Sequence, residues 1–217
     1  PDADAARQLA ERLGDSVQFY KLGLELMMAG GYFELVDWLV ERGKKIFVDL
    51  KFFDVPATVG RAVSRLNGRG VTFATVHGNQ SIMEAAAAAA EDVQILGVTV
   101  LTSLDRGDLD DLGFDCDVEA LVLSRARRAL ETGCDGVAIG RMAVARPWLM
   151  AQMSGLYSPD REVFGEVALQ LLDLMERHFD ANRALRRYKK FAQYFSANFK
   201  FGHSFFKRVG NASDLEA

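Results

Sequence analysis

Cysteine is scarce in this chain. Cys116 and Cys134 stand eighteen residues apart and form no metal-ligand spacing. Free thiols in a reducing cytosol are the simplest expectation. Histidine is equally sparse: His77, His178 and His203 share no spacing, so no metal site is expected. No apolar run approaches the roughly 20 residues that cross a bilayer, so no membrane partner is expected. The start, Pro-Asp-Ala-Asp-Ala, has neither a basic segment nor an apolar core and does not read as a secretory leader. A cytoplasmic protein is the resulting expectation.

Acidic residues are missing from one long stretch. None occurs between Ala181 and Ala212. The net charge of −4 therefore conceals two halves of opposite sign. Residues 1–140 hold 14 basic and 22 acidic side chains, whereas residues 141–217 hold 12 and 8. Such asymmetry predicts two parts with different partners. Overall, 49% of the residues are apolar and 26% charged, as in ordinary globular proteins.

Apolar periodicity predicts helix and strand in alternation. Helices are expected over 4–13, 33–42, 58–66, 82–90 and 118–131. Strands are expected over 17–23, 46–49, 71–76, 93–101 and 137–139, with polar side chains just after them: Lys21, Asp49, His77, Thr102 and Arg141. Nearly continuous apolar strands separated by helices predict a parallel sheet covered by helices. A (β/α)8 barrel and an open doubly wound sheet both fit, and both build their sites at that strand edge. After Arg141 the pattern is helical, over 163–179 and 183–198 with a last short helix at 205–209. The chain divides accordingly into 1–140, a partial barrel, and 141–217, a helical domain.

One stretch concentrates charge. Lys45 to Pro56 starts as the apolar run Ile46-Phe47-Val48, then places Asp49, Lys51 and Asp54 within six residues. If the strand continues that far, Asp49 and Lys51 share a face. Pro56 lacks a backbone donor and is expected to stop the pairing. A lone Asp-x-Lys is usually a minor local ion pair. Here the second carboxylate and Lys21, at the end of the preceding strand, favour a site. An ammonium set among carboxylates in a cleft is a proton donor, and the carboxylates repel an anionic substrate group.

Phe47-Val48-Asp49-Leu50-Lys51-Phe52-Phe53-Asp54-Val55-Pro56 resembles the signature of the orotidine 5′-monophosphate decarboxylase family. Tyr20-Lys21-Leu22-Gly23, Val76-His77 and Gly97-Val98-Thr99-Val100-Leu101-Thr102-Ser103 agree with it in order and spacing, so the resemblance covers residues 1 to about 138. It implies that Lys51 protonates C6 of the pyrimidine as carbon dioxide leaves. Asp49 and Lys21 would belong to the charged network, and Asp54 would reach into a neighbouring subunit's site. Thr58 and Thr102 would touch the nucleotide monophosphate. No cofactor is implied. The family's first-strand Asp would lie before Pro1, and no segment matches its seventh-strand phosphate loop.

Residues from about 135 to 217 resemble another family. Asp135-Gly136-Val137-Ala138-Ile139-Gly140-Arg141, Ala145-Arg146-Pro147-Trp148 and Tyr188-Lys189-Lys190-Phe191-Ala192-Gln193-Tyr194 are similar to the C-terminal part of tRNA-dihydrouridine synthases. That likeness implies phosphate binding, of FMN in that family, by Gly140 and Arg141. It also implies tRNA contact through basic helices carrying Arg186, Arg187, Lys189 and Lys190. Tyr188, Tyr194, Phe199 and Phe201 would stack on bases if exposed. Aromatics at helical spacing are, however, expected to pack a core, His77 to satisfy backbone groups, and Cys134 to be a buried turn residue.

The sequence thus reads as an α/β chain: about five parallel strands of a (β/α)8 barrel, then a C-terminal α-helical domain. The two families would join near Gly136 in a chimera. Three functions stay open: a decarboxylase in which Gly140 and Arg141 hold the phosphate, an inactive recombined barrel, and a tRNA-binding remnant. Open sheet edges at 19–22 and 137–139 predict a homo-oligomer.

Overall fold

The computed structural model describes residues 2–101, 104, 106–138, 140, 146–153, 155–160 and 162–215. The chain forms two compact units, Pro1–Ala138 and Ile139–Ala217.

The first unit opens with helix α1 (Ala3–Leu13). Asp2 caps it, its carboxylate accepting from the Ala5 N–H at 2.8 Å. This satisfies one of the donors that a helix start leaves free. Then follow β1 (Phe19–Gly23), α2 (Leu24–Met28), α3 (Tyr32–Val40), β2 (Lys45–Phe52), α4 (Pro56–Ser64), β3 (Val71–His77), α5 (Gln80–Ala89), β4 (Gln94–Val98), α6 (Arg106–Asp111), α7 (Val118–Glu131) and β5 (Gly136–Val137). Periodicity did not foresee α2 or α6. Both are single short turns of helix, too brief for a 3.6-residue repeat to emerge.

The five strands lie in sequential order, each parallel to its neighbour. An open doubly wound sheet reverses its strand order at a switch point. This sheet has no reversal, so its order is that of a barrel wall. β1 and β5 lie at its two ends. β5 is short, but the Ala138 N–H extends its ladder by donating to the Gly97 carbonyl.

Burial alternates along the strands. Leu22, Ile46, Val48, Ala74, Val76 and Ile95 are buried with Leu35, Val36, Leu39, Val59, Val63, Ile82 and Met83 of the helices in one core. The opposite parity carries Phe19, Phe47 and Phe73 near the strand starts, with rings in mutual contact at 5.9–6.4 Å. Further along, the same parity carries Lys21, Asp49 and Thr75. The expected helix-covered parallel sheet is present: its covered face is the aliphatic core, and the opposite face carries aromatic rings at the strand starts and polar side chains further along.

The turn into β2 is set by Gly43. Its φ of +70° lies in the left-handed region, its N–H bonds the Val40 carbonyl, and Lys44 N–H reaches back to Leu39. A left-handed glycine at this place is a common helix stop.

Among its described residues the second unit is helical: α8 (Leu149–Met153), α9 (Glu162–His178), α10 (Ala181–Phe195) and α11 (Gly202–Asn211). Trp148, Phe191 and Phe195 are buried at its centre, with Phe164, Tyr188, Phe199 and Phe205 packed against them. The aromatics at helical spacing pack a core, as expected. Phe201, 68% exposed, does not join it.

Candidate active site

β1 and β2 pair in simple register, Lys21 opposite Phe47 and Gly23 opposite Asp49. β2 and β3 do not. Val48 pairs with Ala74 and Phe52 with Val76, so Asp49, Leu50 and Lys51 together face Thr75 alone. This bulge bends the strand where the charges sit. Within it Leu50 turns into the core while Asp49 and Lys51 share the other face. Lys51 has a φ of 50°, an uncommon conformation for a long side chain. The strand runs to Phe52, and Pro56 opens α4 at its first turn instead of ending the strand. A proline there loses no helical bond because the first-turn donors are unpaired anyway. It is the bulge at Asp49, Leu50 and Lys51 that disrupts the ladder, five to seven residues before Pro56.

The bulge gathers three charges. Asp49 Oδ2 accepts from Lys21 Nζ at 2.7 Å, and Asp49 Oδ1 accepts from Lys51 Nζ at 2.7 Å. Thr75 Oγ1 donates to Asp49 Oδ1 at 3.1 Å and accepts from the Lys51 backbone N–H at 2.9 Å. The Asp49 side chain is only 12% exposed, whereas Lys21 and Lys51 are 57% and 41% exposed. A carboxylate is thus sunk between two ammonium groups that reach solvent. Burial pushes the Asp49 carboxyl up, but the hydrogen bonds and charges of both lysines outweigh it and hold the group below its ordinary range. Beneath it, the buried Tyr32 hydroxyl donates to the Leu22 carbonyl at 3.0 Å. Burial, with the Asp49 charge second, pushes that phenol up.

Other expected site residues lie apart from this triad. Asp54 is exposed and accepts from the Val55 N–H at 2.7 Å. Phe53 and Val55 on either side are 65% and 63% exposed. Thr58 lies on α4, its hydroxyl accepting from Arg61 Nη2 at 3.3 Å. Gly140 follows β5 and is exposed; Thr102 and Arg141 lie outside the described residues. On α10, Arg186, Arg187 and Lys190 are exposed and Lys189 is half-buried; the Arg187 guanidinium also rests 4.5 Å from the Phe179 ring centre.

His77 departs from its expected role. Its Nδ1 pairs with the Asn79 side chain at 2.9 Å, and its ring stacks on Phe53 at 4.2 Å, so its partners are side chains rather than backbone. Burial lowers its pKa, the Asn79 hydrogen bond opposes this, and the Arg125 charge lowers it further. Cys134 is buried, as anticipated, and burial pushes its thiol up. Among the described residues, no group of three or more His, Cys, Asp or Glu side chains is placed to hold a metal, and no helix is long and apolar enough to cross a membrane.

Thr75 escaped sequence reasoning. Its signal was weak: one hydroxyl in the β-branched run Val71–Val76, two residues before His77 and therefore on the same face. Arg125, on α7, was likewise not singled out by the sequence. It is buried and donates to the Thr99 carbonyl at 2.7 Å. Beside it is a cavity of about 420 Å³, lined also by Asn79, Glu84, Phe114 and Arg128.

Known proteins resemble this chain in sequence and in fold. A curated orotidine 5′-phosphate decarboxylase from Methylococcus capsulatus is 69% identical over 137 residues, covering 63% of this chain and 57% of the relative. One from Nitrobacter winogradskyi is 49% identical over 142 residues, covering 64% and 59%. The chain therefore spans less than two thirds of the length of these relatives. Among solved structures, orotidine 5′-phosphate decarboxylase from Lactobacillus acidophilus superposes with a TM-score of 0.60 at 28% identity, over 68% of this chain and 71% of that one. An uncharacterized conserved protein from Geobacillus kaustophilus gives 0.60 at 29% identity, over 69% and 74%. The profile of one family runs from residue 1 to residue 159, through the whole sheet and past its last strand. By that match, the chain belongs to the orotidine 5′-phosphate decarboxylase / HUMPS family.

Proposed function

We propose that the chain decarboxylates orotidine 5′-monophosphate to uridine 5′-monophosphate, a step of pyrimidine biosynthesis, without a cofactor. The observation that carries this reading is the alternation of Lys21, Asp49 and Lys51 at 2.7 Å spacings. The C6–carboxylate bond breaks, its electron pair stays on C6, and Lys51 Nζ delivers the proton there. Asp49 aims its charge at the departing carboxylate and is itself held by two ammonium groups. Placed charge of this kind acts without reorganisation at the moment of reaction. Binding energy from the remote phosphate would assist. In this reading Thr58 and Thr102 contact the nucleotide, and Gly140 and Arg141 take the phosphate. Asp54 completes a second subunit's site within a homo-oligomer; its exposure between two exposed apolar side chains favours that role.

The test is the loss of orotidylate absorbance on incubation with the purified chain. Lys51→Ala should reduce turnover by about 10²–10⁴-fold, the range removed with a general acid. Turnover unaffected by this change would remove Lys51 from the mechanism. No turnover in the parent chain would overturn the decarboxylase reading.

A second reading concerns residues 141–217. We propose that they derive from the C-terminal part of a tRNA-dihydrouridine synthase, joined near Gly136, and bind tRNA through Arg186, Arg187, Lys189 and Lys190. The acid-free stretch 181–212 and the exposure of three of these four residues favour it. FMN enters only under this reading, as a phosphate held at Gly140 and Arg141. Salt-sensitive tRNA binding tests it. Silence in both assays would leave an inactive recombined barrel.

A further inference from the structure

We infer that Thr75 is a positioning residue for the charged site: its buried hydroxyl ties the left-handed backbone of Lys51 to the carboxylate of Asp49. The consequence for catalysis rests on the decarboxylase reading; the structural tie does not.

Thr75 has no exposed surface. A hydroxyl so placed must find partners, and this one finds two. It accepts from the Lys51 N–H at 2.9 Å, which leaves its own proton for Asp49 Oδ1 at 3.1 Å. The same Oδ1 accepts from Lys51 Nζ at 2.7 Å. The contacts close a ring: Lys51 backbone, Thr75 hydroxyl, Asp49 carboxylate and Lys51 ammonium. Three residues of β2 face Thr75 alone in the pairing, so the regular register is broken there. Lys51, at a φ of 50°, sits in a conformation long side chains seldom hold without support. The hydroxyl supplies an acceptor for the backbone and a donor for the carboxylate. It thereby fixes which carboxylate oxygen meets which lysine: Oδ1 for Lys51, Oδ2 for Lys21. A valine has the same shape and can do neither.

Thr75→Val and Thr75→Ser separate the hydroxyl from the methyl group. Three quantities are compared with the parent: amide exchange at Lys51, the titration of the Asp49 carboxyl carbon, and kcat and KM for orotidylate. In Thr75→Val the Lys51 amide should exchange at least about 10-fold faster, the loss of one buried hydrogen bond. The Asp49 titration should move toward the ordinary carboxylate range. kcat should fall by about 10–100-fold, as for a displaced catalytic group, with KM unchanged. Thr75→Ser should restore all three to within about 3-fold. A Thr75→Val chain that keeps Lys51 protection and kcat would overturn the inference. So would a Thr75→Ser chain as impaired as Thr75→Val, since the methyl group would then be what matters. If Thr75→Val does not fold, Thr75→Ser alone decides: parent-like values support the hydroxyl, lost protection at Lys51 rejects it. Should the parent chain lack turnover, the decarboxylase reading fails alone, and Lys51 exchange with Asp49 titration still decides the tie.

Discussion

The two compact units bury apolar surface and carry charge in opposite ways. The first packs aliphatic side chains between a sheet and its helices: Leu35, Val36, Ile46, Val48, Val63, Ala74, Val76 and Ile95 have no exposed surface. The second relies on rings. Trp148, Phe191 and Phe195 form its buried centre, with the Phe191 and Phe195 rings stacked at 4.7 Å. Its longest helix, Glu162–His178, has no fully buried residue, although Val163, Phe164, Val167 and Leu171 pack against that centre. A small helical unit has too little volume to enclose a long helix, so a few large side chains carry the burial. Charge follows the same division. In the first unit Asp49 is nearly buried between two lysines at a strand bulge; in the second, Arg186, Arg187 and Lys190 stand on an exposed helical surface.

The packing contrast can be broken by two substitutions. Phe195→Ala removes the ring that touches Phe164, Phe191, Phe199 and Phe205, and should cost about 3–5 kcal/mol. Ile46→Val removes one methylene from a core with many aliphatic members and should cost about 0.5–1.5 kcal/mol. Amide exchange read on Ala181–Phe195 for the first and on Lys45–Phe52 for the second measures both. Equal costs would show that the aromatic centre is no more concentrated than the aliphatic core.

How legible each unit was in the sequence follows from the same physics. The helix Val118–Glu131 was predicted to the residue because its stripe is long and Asp117 caps it, accepting from the Ala120 N–H. The parallel strands followed from apolar runs at regular spacing, and the Lys21–Asp49–Lys51 cluster from charge at two strand ends. The β2 bulge did not, because a register shift depends on what lies across the ladder. Thr75 was invisible for that reason: its importance comes from two partners 24 and 26 residues away. The side-chain pairing of His77 with Asn79 and Phe53 was hidden likewise, since the stack brings together the ends of two strands.

The charge contrast is sharpened by reversal. On the tRNA-binding proposal, Arg186→Glu with Arg187→Glu should weaken tRNA binding and reduce its salt slope by about 0.7–0.9 for each phosphate that is no longer neutralised. Arg65→Glu with Arg127→Glu, two exposed positions of the first unit, makes the same change in net charge and should leave the slope unaltered. Equal weakening by both pairs would mean that overall charge, rather than the acid-free helix, governs retention.

The smallest expected effect is the response of the first unit to acid, and its sign can be worked out group by group. His77 has a depressed pKa in the fold, through burial first and the Arg125 charge as a further lowering influence. Between its unfolded value near about 6.5 and the lower folded value, the unfolded chain binds more protons, so stability falls as the pH drops through that window. Asp49 is also depressed, because the lysine bonds outweigh burial. Its contribution is complete above roughly pH 4 and is lost as the pH falls from there through the folded value. Both lysine partners are substantially exposed, so solvent screening limits the Asp49 leg to about 0–1 kcal/mol. Denaturant midpoints recorded from pH 8 to pH 3 should therefore show two separate declines. His77→Gln should remove the upper decline and spare the lower; Asp49→Asn should do the reverse. If Asp49→Asn leaves the lower decline intact, the acid sensitivity belongs to other carboxylates, and the carboxylate between the lysines adds nothing measurable to stability.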